Sequence, residues 1–158
     1  PSPSFVLIVV IWLLGWLATA RPLFLPRLPR WLRPVRRWES RGNIYRVLGV
    51  PLFGQWLRRT PLRALNPDVY LSRHSRDSAA LLAQLEAAET AHLWDAVLVM
   101  PYMVYAGAQG WWAVVGGFLA AQLGVNVYPI LHLRSVRGRL TRVLARKARL
   151  EGQQAAGG

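Results

Sequence analysis

The run 111–131 carries 21 residues without a charge, long enough to cross a hydrocarbon core of about 30 Å as a helix. A second apolar run, 93–105, precedes it, and the short uncharged segment 106–110 joins them. Together they predict a membrane hairpin. Ionisable groups bracket the pair, with Glu89, His92 and Asp95 at one foot and Arg134, Arg137 and Arg139 at the other. Composition agrees with a bilayer setting. The chain is 53% hydrophobic with 8 Trp, yet carries a net charge of +13, a conflict that an ordinary soluble domain does not resolve.

Taken in order, residues 5–20 form a further uncharged run of 16 residues, about 24 Å as a helix at about 1.5 Å per residue. Ala18-Thr19-Ala20 resembles a cleavage site. A signal peptide places its positive charge before the apolar run, however, and here the first charge, Arg21, follows it, so a retained anchor is expected. Residues 21–41 alternate Arg and Pro with Leu, Phe and Trp, which excludes one long helix and predicts a segment lying along the interface. Residues 51–57 are oily but too short to span, and are expected to be interfacial as well. Asp77 is the expected N-cap of a helix entering the membrane at Leu93, and Pro101 is its candidate kink. Gly116 with Ala120 and Gly117 with Ala121 form small-xxx-small pairs suited to close helix packing. A basic helix over 134–150 follows, then a disordered tail at 151–158.

The expected fold is therefore an all-α integral membrane protein, a single membrane domain over 1–150. It has about three transmembrane helices, at 5–20, 93–107 and 111–131, with interfacial amphipathic segments in a cytoplasmic region 21–92. Every basic residue lies in 21–76 or 134–149, so the positive-inside rule puts the amino terminus outside and the carboxy terminus in the cytoplasm of a bacterial inner membrane. All basic residues but Lys147 are Arg, interleaved with Trp and Leu. That pattern suits anionic lipid headgroups as partner, each basic group contributing about 1 kcal/mol near a negative leaflet. No nucleic-acid-binding signature is present, and nucleic acid is not an expected partner.

On a helix Glu89, His92 and Asp95 fall at i, i+3 and i+6, so each neighbours the next. A carboxylate beside an imidazole fixes its tautomer and makes a general base at the membrane surface. The plainer alternative is a helix foot whose polar groups contact headgroups. Glu-x-x-His is half of a di-metal site in helical bundles, but no second copy exists, and His74 and His132 stand apart in the sequence; no metal is expected. The absence of Cys removes disulfides, thiolate zinc sites and a cysteine nucleophile. There is no G-x-S-x-G elbow, no His-x4-Asp pair and no glycine-rich phosphate loop, so no cofactor is expected. Arg134, Arg137 and Arg139 could clamp a phosphate, a carboxylate or an oxyanion, or serve only as cytoplasmic positive charges.

Three separated motifs resemble the glycosyl-4,4'-diaponeurosporenoate acyltransferases, small membrane proteins that esterify the sugar of a glycosylated carotenoid. The first is Glu39, Gly42 and Tyr45; the second is Ala88, Glu89 and His92; the third is Asn126, Tyr128 and Pro129, followed by Arg134, Arg137, Arg139 and Leu140. Departures from the family pattern fall at Phe53-Gly54, Gln84, Ala87, Leu93, Leu133, Ser135 and Val136. The resemblance implies Glu89 and His92 as catalytic residues and Glu39, Tyr45, Asn126, Arg134, Arg137 and Arg139 as substrate-binding ones. It implies a carotenoid or other isoprenoid as partner. Two functions stay open: an acyltransferase acting on a lipid or glycosylated isoprenoid, and a noncatalytic subunit of a larger membrane complex, photosynthetic or respiratory, in which other membrane subunits are the partners and pigment or lipid is bound.

Overall fold

A computed structural model describes residues 4–5, 8–9, 12, 32–36, 39, 43–60 and 78–157. The described residues are helical apart from turns and short connections, with no strand among them. The helices are α1 (Asn43–Val47), α2 (Val50–Arg59), α3 (Ser78–Ala108), α4 (Trp112–Ala121) and α5 (Tyr128–Gly157), with a π-helical segment (Gln122–Val127) between α4 and α5. Contacts divide the chain into two compact units, Pro1–Pro29 with Glu86–Leu131 and Arg30–Leu85 with His132–Gly158.

In the first unit the two apolar runs form the expected hairpin. α3 continues three residues into the expected join 106–110 and ends in a Schellman motif: the Gly110 N–H donates to the Gly107 carbonyl at 3.0 Å and the Trp111 N–H to the Ala106 carbonyl at 2.9 Å. The motif needs a left-handed residue after the helix, and Gly110 supplies it at φ 72. Tyr105 and Trp111 pack edge to face across it, centroids 5.7 Å apart. Val99, Met103 and Ala106 from α3 then close on Val114 and Phe118 from α4 to make the core.

The outer surface of this unit is oily. Val104 and Trp112 are 70% and 72% exposed, and Met100, Leu119 and Leu123 are also exposed, an arrangement that costs free energy in water but not against lipid. The continuous helical stretch Trp112–Gln154 is long and apolar enough to cross a membrane by length and composition, the one such stretch among the described residues. α3 contains the 93–107 segment and runs through Pro101 without a break, but His92, Asp95, Pro101 and two tyrosines dilute its hydropathy. Most of the expected anchor at 5–20, the segment 21–31 and Asp77 lie outside the described residues.

In the second unit Tyr45, Val50, Leu81, Leu85 and Leu133 are buried. α2 is the oily piece expected at the interface, now seen as an amphipathic helix. Leu48, just before it, Leu52 and Trp56 recur every four residues and are all exposed, while Val50 and Gly54 turn inward. α5 continues as helix to Gly157, past position 150 where the basic helix was expected to end.

Candidate functional site

Two polar clusters, one in each unit, hold the residues singled out by the sequence. In the first unit the decisive element is the π-helical segment. Pro129 has no N–H for the carbonyl four residues back and its ring crowds that turn, so the helix ahead of it widens. The Tyr128 N–H reaches back five residues to the Leu123 carbonyl. Within the widened turn Asn126 points into the hairpin, 2% exposed. Its Nδ2 donates to Asp95 Oδ2 at 2.6 Å and to Gln122 Oε1 at 2.6 Å, and its Oδ1 lies 3.3 Å from His92 Nδ1. Gln122 in turn donates from Nε2 to the Ala96 carbonyl at 3.2 Å. Glu89, one turn before His92, and Thr90 beside it are buried, with Thr90 Oγ1 donating to the Glu86 carbonyl at 2.7 Å. The Gly116 and Ala120 pair plays no part in this meeting: both residues are exposed, and a Cβ at Gly116 would have nothing within 4 Å.

In the second unit the cluster is built on Glu39. Arg134 meets its carboxylate as a fork, Nε to Oε2 at 3.0 Å and Nη2 to Oε1 at 3.1 Å, and also donates from Nη1 to the Leu32 carbonyl at 2.8 Å and from Nη2 to the Pro34 carbonyl at 3.4 Å. Tyr45 donates its hydroxyl to Glu39 Oε2 at 3.1 Å. All three side chains are buried. Burial and the adjacent carboxylate push Tyr45 up to about 12, so it stays a neutral donor across the physiological range. Such a pair is costly to break, because removing one partner strands the other, at about 3–5 kcal/mol. Arg137 is buried one turn on, and Arg139 is exposed.

His132 occupies the same unit. Its ring lies against Gly54, where a Cβ would come within 2.6 Å of Cε1, and edge-on to Phe53 with centroids 6.3 Å apart. Burial, and then the charges of Arg58 and Arg139, lower its pKa. Glycine at position 54 is what permits the approach.

The structure thus joins Glu39 and Tyr45 to Arg134, linking the first and third motifs, and joins His92 to Asn126, linking the second and third. Sequence reasoning named these residues but not the pairings. It missed Gln122, whose signal was its position four residues before Asn126 on one helical face, and it treated His132 as isolated. Among the described residues no group of three or more His, Cys, Asp or Glu could hold a metal ion.

A family model described as glycosyl-4,4'-diaponeurosporenoate acyltransferase matches residues 28–146, about three quarters of the chain. The chain belongs to that family. No curated protein and no solved structure gives a match. Both polar clusters of this acyltransferase family member lie inside the matched stretch, as do α1 to α4 and most of α5. Family membership brings with it an acyltransferase-like, carotenoid-related function and a membrane association.

Proposed function

We propose that the protein is a membrane-embedded acyltransferase that moves an acyl group onto a hydroxyl of a lipid or glycosylated isoprenoid. The observation that carries this is the polar cluster of half-buried His92 with buried Asn126 and Asp95 at the foot of an apolar hairpin, within the matched stretch. Polar side chains at that depth are expensive and are retained where they do chemistry. His92 takes the proton of the acceptor hydroxyl as its oxygen attacks the acyl carbonyl carbon; the leaving group departs with the bonding pair and receives that proton. Glu89, one turn earlier on α3, stabilises by its charge the positive charge that His92 gains on taking the proton. Arg137 and Arg139 bind the anionic part of the acyl donor. Arg134, gripped by Glu39 and by two carbonyls, holds Leu32, Pro34 and Glu39 to α5, and with Tyr45 it contributes to substrate binding.

An apolar cavity of about 160 Å³ supports the choice of a lipid-like substrate. It is lined by Phe5 and Val9 of the amino-terminal run and by Leu98, Val99, Tyr102 and Phe118 of the hairpin, surfaces suited to an acyl or isoprenoid chain. In this reading residues 5–20, 93–107 and 111–131 are three spans of a bacterial inner membrane. The amino terminus is outside, and the arginines face anionic headgroups on the cytoplasmic side. Expression in a host that accumulates glycosyl-4,4'-diaponeurosporenoate tests it: the esterified product forms with the wild type and is lost with His92→Ala at equal membrane abundance. Unchanged product with His92→Ala would sink the mechanism.

A second reading, a noncatalytic subunit of a larger membrane complex, draws support from the exposed Trp112 and Val104 and from the family positions replaced at Leu133, Ser135 and Val136. Stoichiometric co-purification with other membrane subunits, without product, would select it.

A further inference from the structure

The hydrogen bonds around Asn126 have only one consistent direction, and they fix a proton on His92. Ala96 offers a carbonyl, which can only accept, so the Gln122 amide nitrogen faces it and Gln122 Oε1 faces Asn126. The Asp95 oxygen 2.6 Å away is a second acceptor. Both N–H bonds of the Asn126 amide are therefore committed, one to Gln122 and one to Asp95. What remains toward His92 is Asn126 Oδ1, an acceptor, so the hydrogen on that 3.3 Å contact belongs to His92 Nδ1.

We infer that Asn126 is a positioning residue that holds neutral His92 as its Nδ1–H tautomer, anchored by Asp95 and Gln122, and leaves Nε2 as the nitrogen that takes the proton. The reverse tautomer is the one free imidazole prefers, so the arrangement has a signature of its own. Asp95, 1% exposed, acts through Asn126 and does not itself meet substrate. The π-helical turn is part of the device, because it brings Gln122 and Asn126 to bear on α3 together. The assignment of Nε2 as the base rests on the proposed role of His92; the tautomer does not.

The test is nitrogen NMR of the full chain in detergent micelles near pH 8, with labelled imidazoles and the His92 signals identified by their loss in His92→Gln. Nδ1 is expected to be protonated and Nε2 bare. Asn126→Ala is expected to revert His92 to Nε2–H and to lower kcat on the order of 100-fold with KM little changed, the size of effect that misplacing a reacting group produces. Gln122→Leu, which leaves Asp95 and Asn126 paired, is expected to keep Nδ1–H. An Nε2–H signal in the wild type overturns the inference, and the wild-type spectrum decides this even where a variant fails to fold. Nδ1–H persisting in Asn126→Ala overturns it as well. An active His92→Ala variant alongside a wild-type Nδ1–H signal would remove the catalytic reading while upholding the tautomer.

Discussion

At the scale of single residues, His132 gives the most direct consequence. Its pKa in the folded chain lies below the ordinary 6.5, because burial and the charges of Arg58 and Arg139 oppose a further positive charge. Between the two values the unfolded chain holds more protons, so stability rises with pH across that window and falls on acidification below about 6.5. Thermal unfolding in detergent, followed from pH 8 to 5, should show the midpoint falling. His132→Asn should lose part of that slope, and an identical slope in the two proteins would contradict it. Little of this was legible beforehand, since the contact depends on an absent side chain at position 54. Phe53-Gly54 registered only as a departure from a motif, not as the space an imidazole fills. His92 was legible because Glu89 and Asp95 flank it on the same helix, whereas its partner Asn126 lies on another element and surfaced only through a motif.

At the scale of elements, the hairpin followed directly from two apolar runs, the first interrupted only by Asp95 near its start, and a glycine-bearing join, which solvent and backbone physics leave few ways to fold. The π-helical segment did not. Its cause, Pro129, reads equally well as a helix end or a kink, and only the packed partner on α3 selects a widened turn. α2 was legible as an oily piece too short to span, expected at the interface, but not as a phased helix. The phasing now carries a prediction: Leu48, Leu52 and Trp56 form a lipid-facing stripe. Because the chain has no cysteine, single cysteines introduced at positions 52 and 56 can carry a spin label without background. In bilayers both labels should meet dissolved oxygen more than a water-soluble nickel reagent, with a label at position 153 showing the opposite. Nickel-dominated accessibility at both α2 positions would remove that helix from the interface.

At the scale of the whole molecule, every arginine lies in 21–76 or 134–149, and the proposed three-span arrangement would put all of them on one side of the membrane. The topology that follows is checked with the same cysteine-free background. A cysteine at position 109, in the hairpin turn, should react with a membrane-impermeant maleimide added to intact cells, and one at position 153 should react only after lysis. The reverse pattern would invert the protein in its membrane. The π-helical turn bears on the chain's descent as well as its shape. Losing one residue between Gln122 and Val127 would restore an ordinary helix and swing Asn126 by about 100° relative to α4, away from Asp95. The amide therefore depends on a residue count as much as on a residue type. Point substitutions around it can accumulate, but a single insertion or deletion there cannot be absorbed, and lineages that keep the amide must also keep the length.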